Sequence, residues 1–519
     1  SGTESGSAAE LFITVSGDEW LIPHFAPSAP AAISWKVTTI ADGNGTVVLE
    51  PDRESYADGE TVKVCAVPEA GYAFAGWDGV LSGSDAETEI SVSADTVVTA
   101  RFVRRQWTIV IYMAADNDLE SAAMLDMNEL EAAGAGGPEI SVLALVDRAS
   151  GYDATNGDWT GTRLFELASG AADFDTVLST REIDCPPLGL VAGANTELDL
   201  AEPTVLDCLL SFASESYDAE HTALVVWGHG TGWRGGSGEG ASSFKAVAFD
   251  DTSGNFMTLP ELAGAIEGKS LSVIGFDTCF AAILELAYEL RSNGGFIAGT
   301  PGMAPSTGWD YARLLDAFSS SDRSPDALCA AMLDQYRAQY SGVPGASFSV
   351  VDLTMVDTLF SAFDAFGKNL ARCVLNAADR TAVRQLAVSD SLLYGGESYP
   401  CDVFIDIGSL CAGTAKILGT LSADASRKAA VSADIADVTT ALLAAIPSGW
   451  SAAGSGETPL GVHLAPFILS SVPRAWHDAL YVKNSGALLQ SQFVLDSTGW
   501  VPNSIPADSL LDILFYSTL

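Results

Sequence analysis

Between Trp107 and Thr300 apolar runs and helical patterns alternate, and this alternation constrains the fold most. The runs are WTIVIYMAA (107–115), ISVLALVD (140–147), TALVVWG (222–228), LSVIGFD (271–277) and GFIAGT (295–300). Helical patterns fall between and after them: a stretch through Glu131, then VLDCLLSFASE, TLPELAGAIEG and AAILELAYEL. Strands that are apolar almost throughout must be buried on both faces, so the expected unit is α/β, a mostly parallel sheet sandwiched by helices. Such sheets gather their functional groups at the carboxyl ends of the strands. Here one strand empties into His229-Gly230 and another, 50 positions on, into Asp277-Thr278-Cys279.

At 519 residues the chain is too long for one ordinary core. Residues 1–34 form a leader and linker, with a small polar opening (SGTESGSAAE) of the kind left after processing and a Pro/Ala stretch before Trp35. Residues 35–103 are a separate small all-β unit, with a hairpin signal at Asp42-Gly43-Asn44-Gly45 and with Tyr72 or Phe74 beside Trp77 in its core. Residues 105–345 are the α/β core. Residues 346–519 carry further helices (in 357–378 and 426–446) and a strand at LGVHLAPF that either rejoins the sheet or builds a companion unit.

With 67 acidic against 25 basic residues the net charge is −42, which repels nucleic acid and anionic lipid and attracts cationic peptides. No run of 18 apolar residues implies a transmembrane helix. The eight cysteines show no metal-ligand spacing, and a Cys401–Cys411 disulfide has little support. His24, His221, His463 and His477 lack catalytic context. The string Asp116 to Glu120 is expected to cap a helix.

A thiol needs help to ionise at neutral pH. His229 can take the proton. A helix from Phe280 to Arg291 would place its positive end at Cys279. The amides of Gly230 and Cys279 can face a substrate carbonyl as an oxyanion hole. Asp277, two residues before the thiol in extended chain, projects to the same side.

Three strings, IVIYMAADNDLE, WGHGTGW and FDTC with its following helix, resemble the clostripain-like family of cysteine peptidases; AFDDTSGNFMTLPELAGAI and GTPGMAPSTGWDY add to the likeness, which covers roughly residues 105–510. The resemblance implies a caspase-like α/β/α sandwich, a dyad of His229 and Cys279, and cleavage after Arg or Lys, with Asp277 lining the P1 pocket. The family often supplies a second acid from the loop before Gly-Trp; Pro305-Ser306-Thr307 has none, and Asp310 follows the Trp instead. It also implies self-cleavage after the catalytic His, here after Lys245 and before Ala246, with Arg234 as the second candidate. No cofactor is needed for the chemistry; calcium is compatible with Asp250-Asp251. Residues 35–103 resemble the internalin B-type repeat of bacterial surface proteins, which implies a β-grasp-like spacer. The expectation is a secreted or cell-surface, even lipid-anchored, endopeptidase acting on basic proteins or peptides. The rival is an inactive peptidase-fold binding protein.

Overall fold

The structure is a computed structural model. It describes residues 33–134, 136–167, 178, 180–232, 247–386, 392–395, 403–452 and 459–462. Its first unit is all-β. Its strands are β1 (Ser34–Trp35), β2 (Val37–Asp42), β3 (Gly45–Glu50), β4 (Tyr56–Ala57), β5 (Glu60–Pro68), β6 (Tyr72–Gly79), β7 (Glu87–Val92) and β8 (Thr96–Arg104). Two three-stranded sheets, β2-β8-β6 and β3-β5-β7, enclose a core of Val62, Val64, Trp77, Val92, Val98 and Phe102. Phe74 packs on Trp77 at 4.9 Å between ring centroids, so these aromatics are core as expected. The hairpin expected at Asp42–Gly45 does not form. β2 and β3 enter different sheets, because the chain must pass Phe102 there: Gly43 has φ +104°, and a Cβ on it would lie 2.2 Å from the Phe102 carbonyl oxygen.

The second unit is built on a nine-stranded sheet. Its strands are β9 (Trp107–Ala115), β10 (Ile140–Arg148), β11 (Gly161–Glu166), β12 (Arg181–Glu182), β13 (His221–Trp227), β16 (Leu271–Asp277), β17 (Gly294–Gly299), β18 (Ser347–Asp352) and β21 (Ser448–Ser451). Their order is β12-β11-β10-β9-β13-β16-β17-β18-β21. The middle five, β10 to β17, run parallel, and antiparallel strands close both edges. Two of the nine strands, β18 and β21, lie beyond residue 345. A short pair, β14 (Val247–Asp250) and β15 (Asn255–Met257), lies outside the sheet.

Every residue of β9 and β10 is buried, as expected of strands covered on both faces. Residue parity decides the layer. Val110, Tyr112 and Ala114 face one core with α2 (Pro203–Ser216), α3 (Leu259–Ala265) and α4 (Leu284–Leu290); Ile109, Ile111 and Met113 face the other, with α1 (Glu120–Ala133), α5 (Tyr311–Ser319) and α6 (Pro325–Tyr340). Local chemistry starts several of these helices: a Thr258/Glu261 capping box opens α3, and Ser324 caps α6 ahead of Pro325.

The C-terminal helices α7 (Val356–Ala371), α8 (Ala377–Gln385), α9 (Ile407–Ile417) and α10 (Ala425–Ala445) extend the first of these cores rather than forming a third. The strand expected at LGVHLAPF appears as β22 (Gly461–Val462), which joins β19 (Leu393–Gly395) and β20 (Val403–Asp406) in a companion sheet. Seven described cysteines, Cys411 among them, are free thiols; Cys401 lies outside the described residues. Among the described residues no helix is long and apolar enough to cross a membrane.

Candidate active site

Strands β13 and β16 are parallel neighbours with Trp227 level with Asp277, so the same 50-residue offset puts His229 beside Cys279 just past the strand ends. The two segments touch. A Cβ added to Gly230 would lie 2.5 Å from the Cys279 carbonyl oxygen and 2.8 Å from Thr278 Cβ. Gly230 also bridges Val247 at the start of β14.

His229 Nε2 is 2.7 Å from Asp118 Oδ1, and the Phe249 ring meets the imidazole edge-on at 5.7 Å between centroids. The expected capping role of Asp116–Glu120 is not what these residues do. Leu119 is the N-cap of α1 and offers no side-chain cap. Asp118 goes to His229, and Glu120 is buried against Arg148 at 2.6 Å. A strand end pointing at its neighbour's strand end captures these acids before the helix can.

Cys279 is half-buried and its Sγ accepts a hydrogen bond from the Ala304 amide at 3.2 Å. Burial pushes the thiol up; the Ala304 amide pulls it down, and the Asp277 carboxylate opposes its ionisation. The helix expected from Phe280 starts only at Leu284, with Ile283 as its cap. The amides of Phe280, Ala281 and Ala282 donate instead to Gly302 O and Thr300 O, and Phe280 takes φ +57°. These bonds to the exit of β17 hold the chain extended past the thiol, so the helix end stands a turn away and lends it no dipole.

Asp277 is 5% exposed. Its Oδ2 accepts from the Trp309 amide at 2.9 Å and from Tyr311 Oη at 3.2 Å. The same loop, 304–311, thus holds both the thiol and the carboxylate. Burial raises the Asp277 pKa to about 7, against the two hydrogen bonds that lower it. A second buried acid stands nearby: Asp126, on α1, which the sequence does not single out. Its Oδ2 accepts from Trp227 Nε1 at 2.7 Å, and a Cβ on Gly308 would lie 2.8 Å from Asp126 Oδ2 and 3.0 Å from Asp277 Oδ2. Burial and the neighbouring Asp277 charge raise Asp126 well above the carboxylate range. Asp310 does not join them; it caps α5 through the Arg313 amide. The one available signal for Asp126 was its place among Ala123, Met127 and Leu130, the buried stripe of α1.

Asp250 and Asp251 part ways: Asp250 turns inward, while Asp251 Oδ2 faces Tyr152 Oη at 3.3 Å. His221 is structural, against Ser272 Oγ at 3.1 Å and the Trp107 ring. Arg234, Lys245 and Ala246, like His24, His463 and His477, lie outside the described residues.

Comparison with known proteins finds matches to both units of the chain. Residues 35–106 match the divergent InlB B-repeat domain. Clostripain of Hathewaya histolytica is 27% identical over 206 residues, a match spanning 37% of this chain and 38% of that protein. A secreted C11 cysteine protease from Bacteroides thetaiotaomicron shares 18% identity over 72% of this chain and 96% of its own, with a TM-score of 0.49. An inactive zymogen C11 protease from Parabacteroides distasonis shares 16% over the same fractions, also at 0.49. The model of the clostripain family matches residues 111–442, well over half of the chain. With a His and a Cys on adjoining strand ends inside that span, the chain belongs to the clostripain family of cysteine peptidases.

Proposed function

We propose that this protein is an endopeptidase that cleaves after Arg or Lys through Cys279 and His229. The observation that carries the reading is the contact of Gly230 with the Cys279 carbonyl, which sets the His-bearing and Cys-bearing strand ends edge to edge. With Nε2–H donated to Asp118, Nδ1 of His229 is the free base. It takes the thiol proton; the thiolate attacks the scissile carbonyl. The tetrahedral oxyanion is met by the amides of Gly230 and Cys279. As the C–N bond breaks, His229 returns the proton to the leaving amine and a thioester remains on Cys279. Water, deprotonated by His229, releases the acid product.

Asp277 is the P1 selector, and Asp126 supplies the second acid that the 305–307 loop lacks, a carboxyl group that ionises when a P1 cation is seated beside it. A buried carboxylate facing a guanidinium or ammonium makes a charge-assisted hydrogen bond. Self-cleavage after Lys245, or after Arg234, precedes β14 and matures the site. Residues 35–103 act as a spacer ahead of a catalytic unit starting near residue 105, with the protein exported or held at the cell surface.

The test is turnover of fluorogenic peptides with Arg, Lys, Ala or Asp at P1, by wild type and Cys279→Ala. Cleavage after Arg and Lys that disappears in the variant is expected. Activity at another P1 overturns the pocket assignment. A Cys279→Ala protein that still nicks after Lys245 overturns self-processing, and inactivity under every condition returns the binding-protein reading.

A further inference from the structure

Phe280, the residue after the thiol, takes φ +57°. A bulky side chain holds that conformation only where its surroundings over-determine it. One constraint is local: the Phe280 amide donates to Gly302 O at 2.8 Å. The other comes from far along the chain. The Phe280 ring lies against the ring of Phe404, with centroids 5.1 Å apart and planes 31° from parallel. Phe404 is fully buried and belongs to β20 of the companion sheet.

Phe404 reaches the histidine segment as well. Gly232, three residues after His229, has φ +65°. A Cβ on it would lie 3.2 Å from Phe404 Cζ, 3.2 Å from Phe280 O and 2.8 Å from Ile283 Cδ1. The tip of one ring thus fills the corner between the chain leaving His229 and the chain leaving Cys279. Tyr394, on β19, meets the third segment of the site: a Cβ on Gly302 would lie 3.6 Å from Tyr394 Cβ. Gly302 stands two residues before Ala304, whose amide donates to Cys279 Sγ at 3.2 Å.

The companion sheet is braced behind these contacts. Tyr394 Oη donates to Asp406 Oδ2 at 2.8 Å. Asp406 Oδ1 accepts from the Ser409 amide at 2.6 Å and caps α9. The Asp406 amide donates to Leu392 O at 2.9 Å, and the Ile407 amide to Leu460 O at 3.1 Å. A close-packed wall of this kind transmits displacement instead of absorbing it.

We infer, on the reading of Cys279 and His229 as the dyad, that Phe404 is a positioning residue of the peptidase site. Its ring holds Phe280 in the turn that sets the Cys279 thiol against the Ala304 amide. The tip of the same ring holds Gly232, and with it the segment that carries His229. Phe404 acts through these two residues and not on the reacting atoms. The chain beyond residue 345 is on this account part of the active site and not an appendage to it.

The test uses full-length Phe404→Leu and Phe404→Ala. Phe363→Ala is the control, since it removes a ring of the same core carried by α7. Leucine keeps the core filled but withdraws the ring tip from Gly232. Turnover of an Arg-P1 peptide is one readout. The other is the pH profile of Cys279 alkylation by iodoacetamide, followed by peptide mass, which needs no turnover. The expected kcat is about tenfold lower in Phe404→Leu and about a hundredfold lower in Phe404→Ala, with KM within about twofold of wild type. The alkylation midpoint should move to higher pH in both, because a loosened Ala304 amide favours the thiolate less. Phe363→Ala should melt below wild type yet keep its kcat and its midpoint. Wild-type kcat and midpoint in Phe404→Leu overturn the inference, and this variant decides alone if Phe404→Ala does not fold. So does a Phe363→Ala protein that shows both changes, since any loosening of the core would then suffice. A wild type that cleaves no peptide counts against the peptidase reading, and the alkylation midpoint of Phe404→Leu then decides the positioning role by itself.

Discussion

Gly230→Ala is the sharpest probe of how the two strand ends are fitted together. Gly230 is not in the left-handed region, so its need is steric. The new methyl carbon would sit 2.5 Å from Cys279 O, 2.8 Å from Thr278 Cβ and 2.9 Å from Thr278 Oγ1, whereas ordinary contact begins at 3.4 Å. Two of these obstacles are on or next to backbone that Asp277 and the Phe280 amide bond hold in place. The His229 and Cys279 segments must therefore part by about 0.9 Å. A displacement of about 1 Å between reacting groups can cost about 10²-fold in rate, or about 2.7 kcal/mol of barrier. Overpacking by one methyl typically costs about 1–3 kcal/mol of stability, so the fold survives. The expected result is kcat lowered about a hundredfold on an Arg-P1 peptide, with KM changed little, in a protein that still melts cooperatively. A variant with kcat within threefold of wild type and an unchanged melting temperature refutes the close fit of the two segments.

Asp118→Asn should lower kcat only about fivefold or less, because the Asp118 and His229 side chains are 72% and 39% exposed and solvent-screened pairs are weak; a loss near the 10⁴-fold of a buried triad aspartate would show the pair is shielded during turnover. Asp277→Asn should abolish the Arg/Lys preference, measured as kcat/KM across P1 peptides. Since burial puts the Asp277 pKa at about 7, wild-type kcat/KM for Arg-P1 peptides should fall as pH drops below about 7, and that limb should vanish in the variant. The stability sign is opposite: a carboxyl raised in the fold favours the folded state most below its unfolded value of about 3.9, and the advantage is lost as pH rises through about 7, so Asp277→Asn should melt higher than wild type at pH 8, by at most about 4 kcal/mol, and alike at pH 4. Glu120→Ala takes from Arg148, whose side chain is fully buried, its closer carboxylate and leaves it only Asp153 at 3.4 Å, and urea melts should show a loss of about 3 kcal/mol.

The sequence carries the sheet because its strands are buried on both faces. β9, β10, β13 and β16 announce themselves as unbroken apolar runs, and the His and Cys at their ends follow from the strand exits. What it hides is decided by contacts between distant segments. The pattern AAILELAYEL cannot reveal that Ala281 and Ala282 give their amides to Thr300 O, which delays α4 to Leu284. Asp42-Gly43-Asn44-Gly45 has hairpin chemistry, yet Phe102 sits where the turn would close and sends β2 and β3 into separate sheets. Asp126 looks like any polar residue of an amphipathic helix until Trp227 Nε1 is found at its carboxylate.

The acids around Asp277 also bear on how the thiol is switched on. Burial raises the Cys279 thiol, and the Asp277 charge raises it further. A P1 Arg or Lys side chain seated on Asp277 would cancel that second contribution, so the substrate that fits the pocket is also the one that eases formation of the nucleophile. A free cation such as methylguanidinium separates this effect from peptide binding. At pH 8, where Asp277 is mostly ionised, saturating methylguanidinium should speed alkylation of Cys279 by iodoacetamide severalfold, since each tenfold corresponds to about 1.4 kcal/mol of relieved repulsion. In Asp277→Asn the basal alkylation rate should already be raised and the added cation should do nothing. Equal basal rates in the two proteins, or an acceleration that persists without the carboxylate, would mean that Asp277 selects the substrate without tuning the thiol.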